Sequence, residues 1–471
     1  MFWNVLGMGL PMLIALMVVP VLLSRIGDAR FGLVSIAWVL VGYLGVLDLG
    51  LGRALTREVA EIRGRGGNAA EQDGLARRAT DVMVLIGVGW AVVLAGLASR
   101  LGGHWLSVPD ALQQEARNAF FCVAFGAPAL LYTNAKLAWL EGQERYGVSN
   151  AIRTPLAALT MLAPMLMSLL TPRLDFVLGA MLAVRLFAAS GIALVLPFRR
   201  TPGDMSPVAM QGLWRFSGWL TVTNVIGPIL VYCDRLYIGA VLSAAAVTYY
   251  TVPYDVVVRL TSLPFAALAV LFPRMTVLLR EDVASLRTVL ARAGALMIWG
   301  WAPMLLAVSL VAREILSLWV GPAFLGDSLV VWHWLAIGVF LNGMAFIPYN
   351  LIQSAGRSDI TAKFHLLEVP VFALALVVLT RQIGIVGAAC AWTLRVALDA
   401  ALLYAAAWRM HPALRLELRR SAIASLAWSA AMCAAVFSTP PVLRWGAAAL
   451  ACALGAYVLL VRRRALAIVE H

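Results

Sequence analysis

Charge is scarce in this chain: Asp, Glu, Lys and Arg make up 13% of its 471 residues, while 62% are hydrophobic and the mean hydropathy is +0.87. That balance excludes an ordinary soluble domain, where about a quarter of residues are charged. Long polar gaps are also missing. No stretch between apolar runs is long enough to fold as a soluble domain, which points to one membrane-embedded unit. Cysteine is rare: Cys122, Cys233, Cys390, Cys433 and Cys452 lie singly in apolar stretches. They read as small buried residues, not as a disulfide or metal framework. No G-x-x-x-x-G-K-[ST], HExxH or paired CxxC occurs, so the chain lacks a P-loop and the common zinc signatures. His365 and Glu368 share one helix face and read as a packing pair; His104, His333, His411 and His471 are scattered. No nucleophile stands beside a base. The expectation is a protein that is not an enzyme and has no cofactor and no metal.

What is present is apolar length. Fourteen runs of about 20 residues, the length a helix needs to cross a bilayer, lie near 3–23, 33–53, 82–101, 118–140, 150–170, 176–197, 216–236, 247–272, 293–312, 329–350, 361–380, 384–408, 421–438 and 445–461. In lipid every backbone polar group must be satisfied within the protein, so such runs mean helices. The expected fold is all-α, a polytopic membrane helical bundle of about 14 transmembrane helices. Met1–Asn4 carries no positive side chain and no small-residue cleavage site follows, so the first run reads as a retained span rather than a signal peptide.

The formal charge of +13 would suggest nucleic acid on a soluble protein, but here the loops explain it. Loops on the side of the N-terminus hold 23 basic residues, among them Arg53, Arg78, Arg287 and Arg420; the opposite loops hold 8. The positive-inside rule then places both termini in the cytoplasm and leaves no call for a nucleic-acid partner.

Two segments recur at nearly constant spacing. Arg57 and Arg274, each following an apolar span, are 217 residues apart, and Glu144-Arg145-Tyr146 and Gly356-Arg357-Ser358 are 212 apart. Spans 1–6 and 7–12 therefore read as related halves. This gives an N-terminal lobe over 1–200, a C-terminal lobe over 201–415 and an appended helix pair with a cytoplasmic tail over 416–471.

Six basic residues fall inside spans. Lys136, Arg153 and Arg235 lie near span ends; Arg185, Arg259 and Arg395 lie near centres, where an Arg costs roughly 2.5–3.5 kcal/mol on insertion scales. Asp255 precedes Arg259 by four residues, and Arg395 precedes Asp399 by four, so each pair shares a helix face. Arg185, Arg153 and Lys136 have no acid within four residues and need a partner from another helix, such as Glu368, Asp48 or Asp234, or an anionic ligand. Thr248, Thr251, Asp255, Arg259 and Ser262 make a polar stripe at helical spacing, echoed by Ser217, Thr221, Asn224 and Arg235. Helix–helix hydrogen bonding explains the hydroxyls; the included Asp and Arg favour a hydrated cavity.

Leu47-Asp48-Leu49-Gly50-Leu51-Gly52-Arg53-Ala54, with Asn4, Gly7, Gly27 and Phe31-Gly32, resembles the early signature of bacterial polysaccharide (Wzx-like) flippases. Asp234-Arg235, Leu271-Phe272-Pro273, the stretch Gln353–Asp359 with Ala362-Lys363, and Gly384–Ala389 are similar to that family in order and spacing. The resemblance covers spans 1–12 and part of the last pair. It implies the two-lobed fold of the multidrug/oligosaccharidyl-lipid/polysaccharide exporter superfamily. It also implies an undecaprenyl-diphosphate-linked oligosaccharide substrate, turned from the cytoplasmic to the periplasmic leaflet of the inner membrane. Membrane lipids and other polysaccharide-assembly membrane proteins are the expected partners. Arg259 resembles, in placement, a cavity arginine of the superfamily's peptidoglycan-precursor flippases; Arg25 is a poorer fit. Arg259, Asp255, Arg185, Arg395, Lys136, Arg153, Asn224 and Arg235 are the candidate cavity residues, since guanidinium forks suit a diphosphate. A cation-coupled small-molecule or drug exporter, a membrane polysaccharide polymerase or ligase, and a non-transporting scaffold remain as alternatives.

Overall fold

The computed structural model describes residues 2–46, 48–103, 105–198 and 233–461. No strand occurs among them; the chain is a succession of helices, and it falls into two compact units, Met1–Thr248 and Tyr249–His471.

The first unit contains α1 (Phe2–Ile26), α2 (Asp28–Val46), α3 (Leu51–Gly64), α4 (Ala69–Leu101), α5 (Gln113–Gly142), α6 (Tyr146–Ser168), α7 (Leu174–Val195), a helix over 233–241 (α8) and the start of α9 (Ala244–Val257). The second continues α9 and adds α10 (Ser262–Ala269), α11 (Phe272–Glu281), α12 (Val283–Leu296), α13 (Ala302–Leu310), α14 (Ala312–Trp319), α15 (Asp327–Ser354), α16 (Ser358–Met410), α17 (Arg415–Ser438) and α18 (Arg444–Val461). Nine helical stretches among the described residues are long and apolar enough to span a bilayer. They coincide with the expected spans three to six and eight to thirteen. The expected span seven lies almost wholly outside the described residues.

The stretch Ser358–Met410 holds two spans. Ile383 and Gly384 leave helical geometry, with Gly384 at φ +60°, a conformation glycine adopts without steric cost. The chain doubles back there. A Cβ on Gly387 would come within 2.0 Å of the Leu379 carbonyl oxygen, so the two arms touch backbone to backbone. α16 is a helical hairpin.

Asp48 explains the glycine-rich motif after α2. Its carboxylate accepts from the backbone N–H groups of Gly50 and Gly52, each at 2.9 Å. Leu49 and Gly50 take left-handed conformations (φ 58° and 76°). A Cβ on Gly52 would lie 2.7 Å from Asp48 Oδ2. The motif stops one helix and caps the next. α3 then buries Leu51, Ala54, Leu55, Val59 and Ile62 against α4 and α5, with its charged face outward.

Each unit has a central helix: α5 packs on α2, α3, α4 and α7, and α15 packs on α11, α13, α16 and α17. Both end alike. Arg145 N–H donates to Leu140 O and Arg357 N–H to Ile352 O, with Glu144 and Gly356 left-handed. This is a Schellman ending, and a third at Gly67→Ile62 marks it as general helix-stop chemistry.

Candidate functional site

Two arginines near span centres carry the candidate chemistry, the buried Arg185 in the first unit and the largely buried Arg395 in the second. On α7 the inward face runs Leu174, Val177, Leu178, Met181, Arg185 and Ile192. Arg185 stands where the helical period calls for an apolar residue. It is 8% exposed. Gly126 on α5 faces it: a Cβ there would sit at ordinary contact distance, 3.5 Å from Arg185 Cδ. Among the described residues no carboxylate pairs with the guanidinium, and its buried Nε donates to nothing. A buried cation left this way carries several kcal/mol of desolvation cost.

The other face of α7 is apolar. Ala183, Val184, Phe187 and Gly191 line a furrow against Ile152, Pro155 and Leu159 of α6, about 640 Å³ in volume. Pro155 within α6 and Gly191 on α7 keep the two helices from filling it.

Arg395, on the second arm of the α16 hairpin, is partnered. Its Nη1 donates to Glu368 Oε2 at 3.1 Å, and its guanidinium lies 5.8 Å from the Phe372 ring centroid and 5.9 Å from that of Trp392. Glu368 is fully buried, and its other oxygen faces His365 Nδ1 at 3.4 Å. Asp399 joins them: donor atoms of His365, Glu368 and Asp399 lie within 4.8 Å of one another. Three of these residues are potential metal ligands. The guanidinium already holding Glu368 disfavours a cation among them, so the geometry fits an ion-pair cluster better.

The remaining expected residues divide by environment. Lys136 is 1% exposed; Nζ donates to Leu196 O at 2.8 Å and lies 3.1 Å above the Phe198 ring and 5.2 Å from that of Trp139. There it caps the C-terminal end of α7, where a cation is favoured. Arg153, half exposed, pairs with Glu141, which also accepts from Ser149 Oγ at 2.9 Å. Arg235 is buried beside Asp234, whose carboxylate accepts its backbone N–H at 2.7 Å. Asp255 and Arg259 are half buried, Arg259 within a 3₁₀ turn over Val258–Thr261 that tightens the helix. Thr248 of the polar stripe donates to Asp28 O at 2.6 Å, a helix-to-helix tie. Asn224 lies outside the described residues.

The sequence shows no acid within four residues of Arg185, and none pairs with it among the described residues. Sequence reasoning paired Arg395 with its i+4 neighbour and missed the convergence of His365 and Asp399 on Glu368. The antiparallel register of the hairpin, centred on Gly384, was the signal that would have found it.

A sequence profile of the family described as "Polysaccharide biosynthesis protein" matches residues 1–279. The chain belongs to that family. A Shigella flexneri relative named "Putative O-antigen transporter" is 28% identical over 406 residues, spanning 85% of this chain and 95% of that protein. Among solved structures, an inward-facing multidrug resistance transporter of the MATE family and MOP superfamily aligns with TM-score 0.71 at 15% identity, covering 87% of this chain and 98% of that one. The lipid II flippase MurJ in an inward closed conformation aligns with TM-score 0.69 at 9% identity, covering 97% and 99%. At such identities these two establish the fold alone: this family member is an all-α, multi-pass membrane protein with the fold those two transporters share.

Proposed function

We propose that this family member is a flippase that turns a prenyl-diphosphate-linked oligosaccharide from the cytoplasmic to the periplasmic leaflet of a bacterial inner membrane, for surface polysaccharide assembly. The observation that carries the reading is Arg185, a span-centre cation with no partner among the described residues. A diphosphate supplies the missing charge, and a planar donor fork matches its oxygens. The chemistry of α7 fits both ends of such a substrate: a cation on one face for the headgroup and an apolar furrow on the other for the prenyl chain. The name of the Shigella flexneri relative supports the same substrate class. Transport without covalent chemistry agrees with the absence of a nucleophile–base pair in the sequence.

Arg259, with Asp255 beside it, and Arg153 serve in this reading as further contacts for the headgroup, and Asn224 and Arg235 extend the polar lining. Arg395 and Lys136 hold the protein framework through Glu368 and Leu196. The lobes over 1–200 and 201–415, the appended pair over 416–471 and cytoplasmic termini complete the proposal, the last from the 23-to-8 distribution of loop charges. Other polysaccharide-assembly membrane proteins are the proposed partners.

Flipping of lipid-linked glycan in vesicles by the wild type and by Arg185→Ala tests it. Loss of a charge-assisted phosphate contact, about 1.5–3 kcal/mol, predicts at least a tenfold fall. Equal rates refute the role of Arg185. A second reading, a cation-coupled small-molecule exporter, draws on the two carboxylates, Glu368 and Asp399, gathered within the α16 hairpin. Cation-dependent efflux of a drug from vesicles that flip no glycan would select it.

A further inference from the structure

A concentration of arginine lies where α16 ends and α17 begins. His411 breaks the helix (φ −125°, ψ 76°), and a 3₁₀ turn over Pro412–Leu414 reverses the chain. Both flanking helices are long and apolar enough to span the bilayer. Their joined ends therefore sit at one membrane face, at the depth of lipid headgroups. Residues 404–422 carry Arg409, Arg415, Arg419 and Arg420 against a single acid, Glu417.

The turn encloses a cleft of about 540 Å³ between Tyr404, Trp408 and Arg409 on α16 and Leu418, Arg419 and Ala422 on α17. No lining residue is acidic. The floor is fixed: the Tyr404 hydroxyl is bonded to Ser421 Oγ at 2.8 Å and to Met344 O at 3.2 Å. The rim is partly fixed too. Arg415 lies over Trp408, 4.3 Å from the ring centroid, and its Nε donates to Trp408 O at 3.2 Å. That leaves Arg409 and Arg419, which have no hydrogen-bond or ionic partner among the described residues. The cleft is thus apolar and aromatic within, with two free guanidinium groups at its edge.

We propose that this cleft binds the headgroup of an anionic glycerophospholipid. Its phosphate would bridge Arg409 and Arg419, and its chains would descend past Ala405 and Ala422. Basic pockets between membrane helices recognise anionic lipid in this way. A zwitterionic lipid carries its own ammonium group, which would be set against the arginines. A soluble phosphate would leave the apolar lining exposed. The site is formed by the last turns of the hairpin and the first of the appended pair, apart from residues 1–279 matched by the family profile. It requires only that the chain spans a membrane and holds whether or not the flippase reading does.

The test is lipid binding by the purified full-length protein, read by native mass spectrometry during titration with phosphatidylglycerol or phosphatidylcholine. Each arginine near the surface is worth about fivefold in affinity for anionic lipid, and both together about 30-fold. The wild type should prefer phosphatidylglycerol by that order. R409A/R419A should lose the preference, and R409K/R419K should keep most of it. If the double alanine variant does not elute as a folded monodisperse species, the single variants Arg409→Gln and Arg419→Gln are read instead, each losing about fivefold. An absent preference in the wild type, or an unchanged one in the variants, overturns the proposal. So does displacement of the lipid by inorganic pyrophosphate, which marks a soluble-anion site, or by farnesyl diphosphate alone, which marks a substrate site.

Discussion

Arg185 and Arg395 occupy similar positions, near the middle of apolar helices and largely withdrawn from solvent, yet their surroundings are opposite. Arg395 meets Glu368 at 3.1 Å, with His365 and Asp399 close by. Arg185 meets glycine and leucine side-chain space, and no acid among the described residues. One cation stands among apolar neighbours, the other among carboxylates. A buried charge that is neutralised in place supports the framework and is costly to disturb. One that is not neutralised destabilises the framework, and in the proposed reading its counter-charge comes with the substrate.

The comparison fixes the sign of substitutions that look alike. The largest effect is expected for Arg395→Leu, which strands Glu368 beside Asp399. Breaking a buried pair costs about 3–5 kcal/mol, so detergent-solubilised protein should lose thermal stability by that order. Recovery in Arg395→Leu combined with Glu368→Leu would sharpen the point, because well-packed apolar residues replace buried pairs with little loss. Arg185→Leu should do the reverse. Removing an unpaired buried charge should leave stability unchanged or raise it, while flipping falls tenfold or more, about 1.5–3 kcal/mol of lost phosphate contact. A variant that both unfolds and stops flipping would break the distinction. Arg185→Lys comes next, with flipping between wild type and leucine, since charge stays and the donor fork goes. The smallest effect concerns a third buried charge, Asp48, satisfied by backbone donors instead of a cation. Asp48→Ala should cost about 1 kcal/mol, as removal of a capping side chain does. Asp48→Asn, which keeps an acceptor oxygen, should cost only tenths in the same melting assay.

Membrane helices were legible because the bilayer imposes length and leaves no alternative backbone structure. The isolation of Arg185 was legible for a local reason: the residues around it on α7 are apolar in both directions. Arg395 was harder. Asp399, one turn away, offered a sufficient partner, whereas the observed one lies 27 residues back and is reached only once the chain folds over Gly384. Lys136 was harder still, since its cage closes with Phe198 and Leu196, about 60 residues downstream, just past the end of a different helix. Charges whose partners lie across a tertiary contact carry no mark of them in sequence. Those without partners carry their isolation openly.

The backbone contact at Gly387 has a mechanical consequence. With Leu379 O against the glycine Cα, the two arms of α16 cannot slide or part near the turn. Glu368 and Arg395 fasten them again about 12–17 Å away, at roughly 1.5 Å of rise per residue. Two rivets so far apart make the hairpin a stiff beam. A tilt at one end is delivered undiminished to the other, and the pair leaves or enters any new arrangement as a single part.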